Sequence, residues 1–382
     1  MKKEKPFMDK PISSRNPAMD VIRCFALFCV VGVHFFSNSG LYGVPVMGKK
    51  MYLMTLLRSF FMICVPLFLM LSGYLMKNKK PTRQYFFGIS KVLCIYLLAS
   101  VCTGYYQVYA AKTFWNETVS IWKLVLGVFS YSTAPYGWYI GMYIGLYLLI
   151  PYLNILYDNL GSQRSRQNLI LILLLLTALP GIANIHCFTS LEWWLSPSGS
   201  ESYDPLLPGW WIQMFPITYY YLGAYLRDYP LKMNRLPTAV WILIMFFAIG
   251  SYSYYRCYPG NFIIGIWDEH ASILTTIQSV LVFHLLASFH YNRCGRYVRK
   301  TLAFLSDLCL GAYLVSWIFD QQVYGSLADL VPQTEARLRY FLPVVLTVYL
   351  RSLCLSAVIQ VAYRLLSKSM ALFHSRNISI PE

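Results

Sequence analysis

Ten stretches of this chain are apolar over about the 20 residues that a helix needs to cross a bilayer, and they leave little else to fold. They run at about 17–37, 52–76, 90–111, 137–157, 168–187, 210–226, 237–255, 271–290, 301–319 and 341–363, the run at 210–226 being the weakest. A segment surrounded by lipid has no water to satisfy its backbone, so each must adopt a helix. The expected fold is an all-α, polytopic integral membrane bundle of about ten transmembrane helices. Residues 17–366 would form that bundle, between a cytoplasmic N-terminal segment (1–16) and a cytoplasmic C-terminal tail (367–382). Composition agrees: 57 % of the 382 residues are hydrophobic and 13 % charged, where a soluble domain carries roughly 25 % charged residues. That excludes a soluble enzyme, a disordered tail protein and a secreted disulfide scaffold.

The basic residues test this map independently, because loops rich in Lys and Arg stay in the cytoplasm. With the N-terminus inside, the alternating segments hold 22 Lys and Arg inside against 7 outside, and Arg23, Arg58 and Arg351 fall within spans. The net charge of +16 is then a topology signal with attraction to anionic head groups; no nucleic-acid partner is implied. The expected location is a membrane, crossed many times, with both termini on its cytoplasmic side.

Seven of the ten cysteines lie inside apolar runs, and neither a CxxC pair nor a Cys/His cluster with zinc-ligand spacing occurs. They read as packing residues, and no metal site is expected. The KKEK start followed by an apolar stretch resembles a signal peptide, but Arg23 at its edge and nine further spans favour a retained first helix.

Polar residues inside the spans are the candidate functional groups, since an arginine there costs about 2.5–3.5 kcal/mol even on gentle scales. The first span opens with Asn16 and Pro17, a side-chain cap followed by a proline at the first helical position, then carries Asp20, Arg23 and, near its far end, His34. Arg23 and His34 are eleven positions apart, which is three turns plus about 20°, so both lie on one stripe about 16 Å apart along the axis. Such a stripe must face protein or a water-filled path. The plainer alternative is an interfacial Asp20–Arg23 pair, three residues apart on one face, with His34 a mere interfacial polar residue. Arg58 lies near the outer end of the second span, where Pro66 can kink the helix and free backbone carbonyls. Trp138 and Tyr139 open the fourth span and also suit an interfacial aromatic belt; Gln278, His284 and His290 sit in or at the edge of the eighth. No GxxxxGK[ST], HExxH or GxSxG motif appears, so any reaction must occur among the helices.

These segments resemble the acyltransferase 3 family of bacterial membrane acyltransferases, marked by an arginine and a histidine with ten residues between them, here Arg23 and His34. RSFFMICVPLFLMLSGYLM, YGWYIGMYIGLYLLIP, FPITYYYLGAYL and LSDLCLGAYLVS are similar to further family segments, in order over residues 15–320. The resemblance implies transfer of an acyl group, commonly acetyl, from cytoplasmic acyl-CoA to a hydroxyl of an envelope glycan or lipid-linked sugar. Acyl-CoA would serve as co-substrate, with no permanently bound cofactor. His34 would be the catalytic acid/base, and Arg23 and Lys91 would bind the donor; Asp20, Arg58, Trp138 and Tyr139 would support them. Two departures stand out: Gly88 replaces the first member of a basic pair completed by Lys91, and Ser316 replaces a late histidine. Since no hydrolase-like module follows the last span, the chain would act alone or with a separate exterior partner protein. The competing reading is a transporter or exporter of a glycan or other envelope precursor, because intramembrane charges also mark substrate paths. A sensory or scaffolding role fits the polar stripe least.

Overall fold

The computed structural model describes residues 15–114, 116–199 and 203–377, and among these no β-strand occurs. Eleven helices carry the fold: α1 Pro17–Asn38, α2 Gly48–Phe61, α3 Cys64–Met76, α4 Ser90–Phe114, α5 Trp138–Asn159, α6 Gln163–Thr177, α7 Phe215–Asp228, α8 Arg235–Cys257, α9 Ile273–Ala287, α10 Arg296–Leu330 and α11 Phe341–Asn377. All ten expected runs fall on helices, and eight segments are long and apolar enough to cross a membrane. The other two, α7 and α9, have 14 and 15 residues, only about 21–22 Å at 1.5 Å per residue. They fall short of a full span because neighbouring helices, rather than lipid, surround them. Two boundaries also shift. The run at 52–76 is two helices, interrupted at Met62 and Ile63, and α10 runs on to Leu330 where the apolar signal stops at 319.

The first helix starts as its sequence dictates. The Asn16 side chain accepts from the Ala18 N–H at 3.0 Å, and Pro17 occupies the first turn, where a missing donor costs nothing. It then becomes the inner post of the bundle, packed by α2, α3, α9, α10 and α11, with Leu27, Val31, Phe35 and Phe36 fully buried. Small residues let the surrounding helices close in, as helix packing in lipid requires. A Cβ at Gly73 of α3 would lie 1.9 Å from the Tyr220 carbonyl oxygen, and one at Gly223 of α7 would lie 2.0 Å from that of Met70. These two backbones therefore touch directly.

Candidate active site

Between α1, α3, α5 and α10 lies a cavity of about 590 Å³. Its lining starts at Arg23, Lys91, Ser306 and Asp307, near the end of the bundle where α1 begins (the proximal end). It passes Val30, Val65, Phe68 and Leu71 and reaches His34, Arg58, Trp138, Glu269 and His270 near the opposite, distal end. The stripe on α1 thus opens into one enclosed space. Of the residues singled out by sequence, Arg23, His34, Arg58, Lys91, Trp138 and Tyr139 all line it. Asp20 lines an adjoining proximal cavity of about 510 Å³ that shares Arg23. Gln278, His284 and His290 do not line either one; His284 Nε2 instead lies 2.9 Å from the Met233 carbonyl oxygen.

At the proximal end the partners differ from the simple α1 pair. Asp20, 3 % exposed, is gripped by Arg15, whose Nε and Nη2 donate to its carboxylate at 2.6–3.1 Å, while Arg15 also reaches Asp307 at 3.0 Å. Arg23 lies 3.8 Å from Asp20 and donates from Nη1 to the Ser306 hydroxyl at 2.7 Å. Its nearest carboxylate is already claimed, so the Arg23 charge stays available to the cavity. Gly88 has a steric cause here: a Cβ would lie 2.6 Å from the Tyr147 hydroxyl oxygen, which itself donates to the Tyr85 carbonyl. Lys91 keeps its ammonium 6.0 Å from the ring centre of Tyr363.

His34 faces a carboxylate that sequence reasoning missed. Its Nδ1 lies 3.7 Å from Asp320 Oδ2, its ring stacks on Tyr136 with centroids 3.8 Å apart, and Asp320 is fully buried. The Tyr136 hydroxyl donates to Asp320 Oδ2 at 2.7 Å. His34 Nδ1 and Asp320 Oδ1 have no hydrogen-bond partner, an arrangement that calls for an explanation in a buried site. Ser316, one turn earlier on α10, donates to the Tyr313 carbonyl and does not line the cavity. The acidic group facing the imidazole is thus the residue four positions on. The available signal was an aspartate directly after an apolar run, which a hydropathy boundary at 319 assigns to a loop.

The distal wall rests on the break before α3. Pro66 has no N–H to offer the Met62 carbonyl four residues back, and that carbonyl accepts from His270 Nδ1 at 2.9 Å. A carbonyl can only accept, so Nδ1 carries the proton and Nε2 the lone pair. Burial pushes the His270 imidazole down to about 4, against the opposing pull of the Met62 bond; the ring is neutral at neutral pH. Burial likewise pushes the Glu269 carboxyl up, with Arg58 holding it back. Arg58 is 2 % exposed. Its Nη1 lies 2.7 Å from Asp268 and Nη2 3.8 Å from Glu269, its Nε donates to the Tyr42 hydroxyl at 3.2 Å, and the guanidinium sits 5.1 Å from the Phe262 ring centre.

A multi-span bundle that gathers ionisable groups around a cavity between its helices suits an integral-membrane enzyme or a transporter. The chain belongs to the acyltransferase 3 family: that family's model, described as an acyltransferase domain, matches residues 16–358, nearly the whole chain. It is therefore a membrane acyltransferase. No curated protein and no solved structure matches it.

Proposed function

We propose that this acyltransferase takes an acyl group, commonly acetyl, from cytoplasmic acyl-CoA and places it on a hydroxyl of a cell-envelope glycan or lipid-linked sugar, in a bacterial plasma membrane with both termini cytoplasmic. One observation carries the reading: a single cavity has the Arg23 guanidinium near one end and an imidazole facing a carboxylate near the other. The donor's phosphates would sit by Arg23 and Lys91, and its narrow thioester arm would extend toward His34. A thioester is already activated, so transfer needs a base near neutral pH and a stabilised oxyanion. His34 takes the acceptor hydroxyl's proton, and the oxygen attacks the thioester carbonyl carbon. The C–S bond then breaks, and the CoA thiolate leaves with that proton. The products are the ester and free CoA, in balance. Asp320 acts as a positioning residue, its carboxylate 3.7 Å from Nδ1 placed to stabilise the imidazolium that forms.

The test is acetyl-CoA turnover by the full chain in lipid nanodiscs, read as thiol release and labelled acetyl on added glycan. His34→Ala is expected to lose about 10²–10⁴-fold with unchanged elution and melting. Full activity in that variant would remove His34 from the mechanism. Glycan flux in proteoliposomes without any acyl-CoA consumption would replace the enzymatic reading with transport.

A further inference from the structure

A second chamber of about 330 Å³ opens at the distal end, lined by Trp138, Gln213, Phe215, Ile266, Glu269 and His270 among others. Three of these, Trp138, Glu269 and His270, also line the main cavity, so the two spaces meet at a common wall. The volume is at the low end of the roughly 300–1,000 Å³ that small-molecule sites occupy. The shared wall combines chemistries that seldom coincide. Trp138 is 47 % exposed, with its indole parallel to the His270 ring within 19° and centroids 6.0 Å apart. Glu269 keeps a third of its side chain accessible and approaches Arg58 no nearer than 3.8 Å. His270, held by the Met62 carbonyl through Nδ1, has an uncommitted Nε2.

The charge balance is equally specific. Arg58 is matched by Asp268 at 2.7 Å, His270 is neutral, and Glu269 adds a further acidic group. Among the described residues lining this chamber there is no cation at all. The next buried arginine, Arg256, is enclosed by Trp193, Tyr203 and Trp267 and donates to the Ile185 carbonyl instead.

We infer that this distal chamber is the acceptor subsite and that it accepts an uncharged sugar ring in preference to an acidic one. An aromatic face suits the C–H face of a pyranose, and a carboxylate accepts from neighbouring hydroxyls. An anionic ring would meet Glu269, whose neighbouring guanidinium, Arg58, is already matched by Asp268. The shared wall would hold one hydroxyl facing the main cavity, where the acyl group arrives. This inference rests on the function proposed above and adds the residues and charge preference of its acceptor side.

Saturation-transfer NMR on the full chain in nanodiscs, without acyl donor, tests it directly. The probes are the methyl pyranosides of glucose, galactose and N-acetylglucosamine, set against methyl glucuronoside. At least one neutral glycoside should show ring C–H saturation, with the glucuronoside at least tenfold weaker. Trp138→Leu and Glu269→Gln should each cut that signal at least fivefold while elution and melting hold. Should one variant fail to fold, the other and the neutral-to-acidic ratio still decide. No binding by any neutral probe, equal binding by the acidic one, or a signal surviving in the folded variants would overturn the assignment. Because no donor is present, a failed His34→Ala test leaves this result standing. Conversely, intact acetyl transfer with a negative result here would move the acceptor to another wall.

Discussion

Asp268 and Asp320 are both fully buried, and each lies within ion-pair distance of a basic group on the first two helices of the chain. Asp268 gathers three partners on one oxygen: the Ser59 and Ser253 hydroxyls donate to its Oδ2 at 3.1 and 3.0 Å, and Arg58 approaches the same atom at 2.7 Å, while its Oδ1, like that of Asp320, has no hydrogen-bond partner. Asp320 has one donor, the Tyr136 hydroxyl, and faces a histidine across 3.7 Å without bonding it. The aspartate with three partners ties α2 to the segment between α8 and α9. The one with a single donor faces the His34 ring with its charge balanced by no fixed cation. The two arginines repeat the contrast, since Arg58 is enclosed while Arg23 has a single neutral hydroxyl as its close partner.

The same substitution at the two aspartates should therefore read out differently. Asp268→Asn leaves the Arg58 guanidinium buried without its counter-charge, and a loss of about 3–5 kcal/mol is expected, measured as a collapse of detergent melting temperature and of membrane yield. Melting within a degree or two of the parent would show that Arg58 finds another partner. Asp320→Asn should leave melting nearly unchanged and lower acetyl-CoA turnover about 10²-fold, short of the ~10⁴ supplied by a carboxylate bonded directly to the imidazole. Its pH–rate profile should shift as well, a change that a purely structural role would not produce. The mildest effect is expected at the proximal end. Arg23→Gln keeps a polar partner for Ser306 and removes the charge, so KM for acyl-CoA should rise about tenfold with kcat and melting held. Arg23→Lys should recover part of that loss, and an unchanged KM would place the donor's phosphates elsewhere.

The basic side of this contrast could be read from sequence, for identifiable reasons; neither aspartate could. Arg23 and His34 share a helix, so the 3.6-residue period alone puts them on one stripe. Pro66 announces a free carbonyl because its chemistry forbids the bond. Asp320 escaped because hydropathy places a span's end at the first charge, whereas α10 continues eleven residues beyond 319, shielded by its neighbours. Glu269 and His270 lie in an aperiodic stretch, and the contact that positions His270 joins residues 208 apart in sequence. The shortness of α7 and α9 was equally hidden: composition reports how oily a segment is, while the Gly73 and Gly223 contacts that replace lipid with protein are tertiary.

The apolar stretch of the cavity, lined by Val30, Val65, Phe68 and Leu71, has a consequence for the membrane itself. A passage wetted from end to end would leak protons and dissipate the cell's electrochemical gradient. A constriction lined with hydrocarbon holds a file of water poorly, and channels close by this kind of dewetting. On the proposed function, those four side chains would let a thin acyl arm through while keeping the resting protein an insulator.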